Sequence, residues 1–435
     1  MRTPLAFVLV LLTTAVSAQD RATKVRNDRQ RFQNSAEWIY NDLDSGIRAA
    51  RESHKPLLVV IRCIPCEACQ ELDDDVARRD PVIRDLLDRF VCVRIVQANA
   101  LDLTRFQHDF DLSLAVYLMN ADGTIYGRFG TRSDRPEEQD ISLEGLRRAM
   151  EIALQLHAEY PANREALAGK QPRPTRYKTP RDYPSLAGKY ADRLDYEGQA
   201  VKSCLHCHQI REAERLVYRE AGQPIPDVVL FPYPDPAVLG LKLDPKEAAR
   251  VERVAPESIA EAAGLEPGDE IVTLAGQPML SIADVQWVLH SAPSPARLSA
   301  EVARGDDRLT VALDLPEGWR RGNISWRATT WDLRRMGLGG LFLKELADEQ
   351  RSGLGLPRAG MALRVEHVGQ FAPHDIAKRA GFQKDDVLIA FDGQTGRMSE
   401  SDLLAYALQR KRPGDEVPVT VLRNGEKKSL TLALP

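Results

Sequence analysis

The amino-acid sequence predicts a multidomain chain, α/β at first and mainly β afterwards, with a short helical cysteine–histidine segment between the two parts. Three observations carry this expectation. The chain has 435 residues, whereas single hydrophobic cores stop growing at roughly 250–300 residues. Between residues 36 and 160 the apolar pattern switches between helical and strand periods, as in an α/β domain. Beyond residue 237 the sequence repeats itself: "AAGLEPGDEIVTLAGQPMLSIADVQWVL" (262–289) and "RAGFQKDDVLIAFDGQTGRMSESDLLAYAL" (379–408) share one order of helix end, turn, strand, glycine turn and helix. Two copies are too few for a solenoid and read as duplicate globular domains.

Taken in order, residues 1–18 combine Met1-Arg2, an apolar run from Leu5 to Leu12 and the small residues Ala15-Val16-Ser17-Ala18, the pattern of a secretory signal peptide. Its expected consequence is an exported, periplasmic or otherwise extracytoplasmic chain whose six cysteines meet an oxidising compartment. No later segment approaches the ~20 apolar residues of a membrane helix. Residues 36–160 read as a helix from Trp38 to Arg51, a buried strand ending at Ile61, a helix after the cysteines, and another begun by Asp80-Pro81. A strand from Phe90 to Ile95, a hairpin turning at Ala121-Asp122-Gly123 and a closing helix from Leu143 to Tyr160 follow. Residues 161–194, rich in proline and basic side chains, read as a linker. Residues 195–236 hold the helical C-x-x-C-H segment and a proline-rich connector. The two copies occupy 237–316 and 338–435, joined by a tryptophan- and arginine-rich connector at 317–337. The net charge of -4 provides no basic field for nucleic acid.

Two cysteine clusters carry candidate chemistry. In "IRCIPCEACQ", Cys63, Cys66 and Cys69 are three apart, directly after the Leu57–Ile61 apolar run. A thiolate at a helix N-terminus is activated by the helix dipole, so thiol–disulfide exchange, a structural disulfide and a metal or cluster site are all open readings. The fourth position of an iron–sulfur spacing falls on Asp73, and Cys92 reads as a small core residue. In "SCLHCHQ", Cys204-x-x-Cys207-His208 has the spacing of c-type haem attachment. A disulfide, or zinc held by Cys204, Cys207, His206 and His208, remains open there.

Resemblances add to these readings. "LLVVIRCIPCEAC" resembles the strand-to-helix junction of thioredoxin-like domains, which implies Cys66 as the attacking and Cys69 as the resolving catalytic cysteine. The family's buried acid and cis-proline fall at Val60 and Ala115 here. "YEGQAVKS" resembles the helix leading into the haem motif of cytochromes c. That implies haem c on Cys204 and Cys207, with His208 as iron ligand. The motif A-G-L-x-P-G-D-x-I and its surroundings resemble PDZ domains of bacterial secreted proteases. The implied partner is a protein C-terminus or exposed strand, added to a sheet edge beside Leu239-Gly240-Leu241 or Gly339-Gly340-Leu341. The whole arrangement resembles the thioredoxin-like/PDZ domain-containing (seleno)protein family. The expected function is an exported redox protein, acting by thiol–disulfide exchange, by haem electron transfer or by both, with PDZ domains that recruit partners. The alternative is a PDZ scaffold whose thioredoxin-like domain is only structural. No G-x-S-x-G segment is present, which argues against a serine protease.

Overall fold

The computed structural model describes residues 21–66 and 69–435; the expected signal peptide at 1–18 lies outside the described residues. Among these, no helix is long and apolar enough to cross a membrane. The chain divides into two compact units: one runs through Ile210 and adds Tyr233–Trp319, the other comprises Arg211–Pro232 and Arg320–Pro435.

The first unit opens with a helix over 21–32, followed by β1 (Trp38–Tyr40), α1 (Leu43–Ser53), β2 (Leu57–Arg62), α2 (Gln70–Arg78), β3 (Val91–Ile95), β4 (Leu114–Met119), β5 (Ile125–Phe129) and α3 (Leu143–Glu159). The sheet order is β1-β3-β2-β4-β5, with β2 parallel to β3 and antiparallel to β4. All six β2 residues are buried, as their unbroken apolar run predicts for a central strand. Trp38 was expected to start a helix. It forms β1 instead, because the Asp42 side chain accepts from the Ser45 amide and caps α1 there.

Residues 161–194 are packed rather than free: Leu167, Lys170, Pro180, Tyr183 and Leu186 are all buried. Proline and charge content marks a linker only when the apolar side chains have no surface to cover, and Leu167, Tyr183 and Leu186 have one. After α4 (Cys207–Glu220) begins, the chain enters the first copy, with β6 (Leu241–Leu243), β7 (Val251–Val254), β8 (Glu270–Leu274), β9 (Gln277–Pro278), α5 (Ile282–Ser291), β10 (Ala296–Arg304) and β11 (Asp307–Leu315). These make a four-stranded sheet, β11-β10-β8-β9, and the pair β6-β7.

The second unit contains α6 (Thr330–Leu338), β12 (Leu341–Glu345), β13 (Leu363–Val368), β14 (Val387–Phe391), α7 (Glu400–Arg410), β15 (Glu416–Arg423) and β16 (Glu426–Ala433), in one sheet with β12 at its edge. The repeated aspartate has one job in both copies. Asp269 accepts from Arg304 at 2.7 and 2.9 Å, and Asp386 accepts from Arg423 at 2.6 Å through both oxygens.

Candidate functional site

β2 delivers the cysteine run to the end of the central sheet. The chain then turns back, with the Cys66 amide donating to the Cys63 carbonyl at 3.1 Å, and the two sulfurs come to 3.0 Å. Both are free thiols. Arg62 holds this turn from the buried side. Its guanidinium donates to the carbonyls of Cys63, Ser113 and Cys66 at 2.7, 3.0 and 2.9 Å. Its charge is balanced by Asp73 at 3.2 Å, which also accepts from Arg94 at 2.6 and 2.9 Å. Buried charges persist only when paired in this way. Asp73 is thereby committed to two arginines rather than to a cluster.

The expected pairing of Cys66 with Cys69 differs from the observed geometry. α2 starts at Gln70, with Cys69 itself as its left-handed cap at φ 60°, so the two cysteines share no helical face. Cys69 is buried and its amide donates to Glu137 at 3.0 Å. Burial, reinforced by the Glu137 charge, pushes its thiol up to about 11. Burial likewise pushes Cys92 up to about 12, with its sulfur against the Leu87 carbonyl.

A second segment, distant in sequence, completes the site: His206 places Nδ1 3.2 Å from the Cys63 sulfur. The buried Asn99 fixes this segment, donating to the Ala191 and Ser203 carbonyls and accepting from the Leu205 amide, each at 2.8 Å. The His206 amide donates to Gln209 at 2.9 Å, and its ring stacks on His208, 5.4 Å away. Acceptance of the Cys63 S–H, with His206 assisting, holds the Cys66 thiol well below its ordinary value. The same Cys66 contact, together with burial, holds Cys63 above it. Burial, then the neighbouring His206, lowers His208.

Cys204 and Cys207, expected to carry haem, are only 3% and 7% exposed. Cys204 packs among Val25, Leu194, Ala200 and Ile64, and burial pushes both thiols up to about 12. Thioether attachment requires both sulfurs on one face open to a macrocycle, so this packing does not fit haem. Side chains that could supply a second axial ligand from elsewhere in this unit are also engaged: His157 bonds Tyr126 at 2.8 Å, His290 stacks on Tyr233, and Met279 lies in the core of the first copy.

The sequence places Cys63 only in the triplet and His206 only beside Cys204, Cys207 and His208; nothing in it brings the two together. One signal was available for Cys63: the Cys63–Cys66 interval contains Pro65, which lacks an amide and favours a turn over a helix.

In the repeated domains the expected loops do precede edge strands, but their glycine amides are already used. Gly240 donates to the Ala237 and Pro236 carbonyls, between the buried Leu239 and Leu241. Gly339 and Gly340 both donate to the Arg334 carbonyl at the end of α6. A Cβ at Gly340 would collide with the His374 carbonyl, so this glycine admits the chain's own backbone. Just beyond Leu341, the Leu343 amide donates to Glu400 at 2.8 Å.

A thioredoxin-like family model matches residues 38–120, and PDZ-domain models match 250–304 and 357–434. The chain carries a thioredoxin-like domain and two PDZ domains. A protein described as a probable periplasmic serine endoprotease DegP-like, from Pseudomonas savastanoi pv. phaseolicola, is 28% identical over 197 residues, covering 44% of this chain and 38% of that protein. A protein of the same description from Halomonas elongata is 30% identical over 127 residues, covering 29% and 23%. The chain thus spans less than half the length of these curated relatives. Among solved structures, the HtrA3 PDZ domain bound to a phage-derived ligand is 31% identical, with a TM-score of 0.14, over 16% of this chain and 65% of that one.

Proposed function

We propose that the thioredoxin-like domain performs thiol–disulfide exchange through Cys63 and Cys66, outside the cytoplasm, with the first PDZ domain recruiting a protein partner. The observation that carries this is the sulfur pair at 3.0 Å with unequal access: Cys63 is 5% exposed and Cys66 half-buried. The accessible Cys66 thiolate attacks one sulfur of a partner's disulfide, forming a mixed disulfide and releasing the other sulfur as a thiolate. Cys63 then attacks the Cys66 sulfur, His206 receiving its proton, and the second partner sulfur leaves. The net change transfers two electrons from the Cys63–Cys66 dithiol to the partner, reducing one disulfide to two thiols. The periplasmic description of the relatives supports an extracytoplasmic setting. PDZ recruitment rests on β6, which pairs with β7 alone and is the strand a C-terminal peptide would extend.

The test is reductant-driven turnover of oxidised glutathione by the full chain. Cys66→Ser should abolish turnover, Cys63→Ser should accumulate a glutathione adduct on Cys66, and Cys69→Ser should leave the rate near wild type. Loss of turnover in Cys69→Ser alone would return the resolving role to Cys69. A wild-type rate at solvent background would leave the scaffold alternative.

A further inference from the structure

We propose that Cys63, Cys66 and His206, when reduced, form a three-coordinate site for a soft monovalent cation, copper(I). Their ligand atoms all lie within 4.8 Å of one another. The donor chemistry is two sulfurs and an imidazole nitrogen, a set that favours soft d10 ions over the hard cations held by oxygen. The Cys63 sulfur is 3.0 Å from that of Cys66 and 3.2 Å from His206 Nδ1. Metal–sulfur bonds of roughly 2.3 Å separate two trigonal sulfur ligands by about 4 Å, so loading requires the sulfurs to part by only about 1 Å.

The surroundings hold these donors in place before any ion arrives. Arg62 fixes the carbonyls on both sides of the cysteine turn. Asn99 and Gln209 fix the segment that presents His206. Such outer contacts orient ligands and account for much of a site's affinity. Copper(I) rather than zinc follows from the ligand number, since structural zinc is almost always tetrahedral. The neighbouring Cys204 sulfur is directed toward its own chain, against the Leu205 carbonyl at 3.8 Å. On loading, the cation takes the place of the proton between the two sulfurs. Oxidation of the pair by a partner's disulfide, which takes up the two electrons and becomes two thiols, removes both thiolate ligands and releases the ion.

The site shares cysteines with the proposed exchange reaction, so the experiment separates them. Reduced, metal-free full-length chain is titrated anaerobically with copper(I) against a chromophoric chelator, and in parallel with zinc(II). One copper(I) per chain is expected. His206→Ala should weaken binding by about tenfold or more, and Cys63→Ser and Cys66→Ser should abolish it. Cys69→Ser should bind as wild type does. X-ray absorption of the loaded wild-type chain should show two sulfur ligands and one nitrogen, a readout that needs no variant to fold. No copper(I) uptake, a preference for zinc(II), a four-sulfur shell, or unchanged affinity in His206→Ala would each overturn the site. Glutathione turnover by the metal-free chain is decided separately by Cys66→Ser.

Discussion

The two PDZ domains share a sequence repeat, yet their peptide edges are finished differently. In the second, the Glu400 carboxylate reaches across to the Leu343 amide of edge strand β12. It is held there by Arg334 at 2.9 and 2.7 Å, and this ion pair is only 2% and 3% exposed. Arg334 also lies over the Phe342 ring, 4.3 Å from its centroid. In the first domain the residue after the helix-capping serine is Ile282 instead of Glu400, and an alkyl side chain cannot accept from a strand amide. The first domain's polar anchoring lies elsewhere, on the thioredoxin-like domain and the packed 161–194 segment that follows it. Lys170 pairs with Asp284 at 2.9 Å, both fully buried. The Trp287 indole donates to the Gly169 carbonyl at 2.8 Å, with the Arg128 guanidinium 3.7 Å over its ring. One repeat therefore closes its own groove, while the other fixes the back of its helix to a neighbour and keeps β6 at an edge. A shared fold does not by itself confer a shared binding role.

The largest expected effect is at Glu400. Glu400→Ala strands a buried guanidinium that cannot deprotonate, and breaking a buried pair costs about 3–5 kcal/mol. Denaturant unfolding of the full chain should show that loss in the second unit's transition. Asp284→Ala should cost less, because Lys170, already lowered by burial against the opposing pull of Asp284, can shed its proton. Its folded pKa lies below the unfolded value, so the folded state binds fewer protons and stability rises with pH between the two. The Asp284→Ala deficit should accordingly shrink from pH 7 toward pH 10, and a deficit flat over that range would contradict the assignment. The smallest effect is a change in amide exchange: an apolar peptide with a free carboxylate should protect residues 241–243 and leave 341–345 unchanged. Protection of 341–345 in the wild-type chain would show that α6 and Glu400 yield readily.

Much of this architecture was legible because apolar periodicity reports local structure. The β2 run, the hairpin of β4 and β5, and the duplicated motif with Asp269 and Asp386 all lie where their patterns indicate. The start of α2 was not legible, since it is Cys69, in a left-handed conformation, that delays the helix until Gln70. Residues 161–194 were misread because composition alone does not reveal that Leu167 and Tyr183 have partners. The role of His206 beside Cys63 was out of reach for a deeper reason. The histidine meets Cys63 across 143 positions, through packing set by Asn99, and no local spacing encodes such a meeting.

The central claim is that Cys63 and Cys66, rather than Cys66 and Cys69, form the working dithiol. Peptide mass mapping of the reduced full chain after limiting oxidation with oxidised glutathione tests it most directly. The predicted result is a Cys63–Cys66 disulfide formed first, with Cys69 and Cys92 still free thiols. A Cys66–Cys69 linkage as the first product would contradict it.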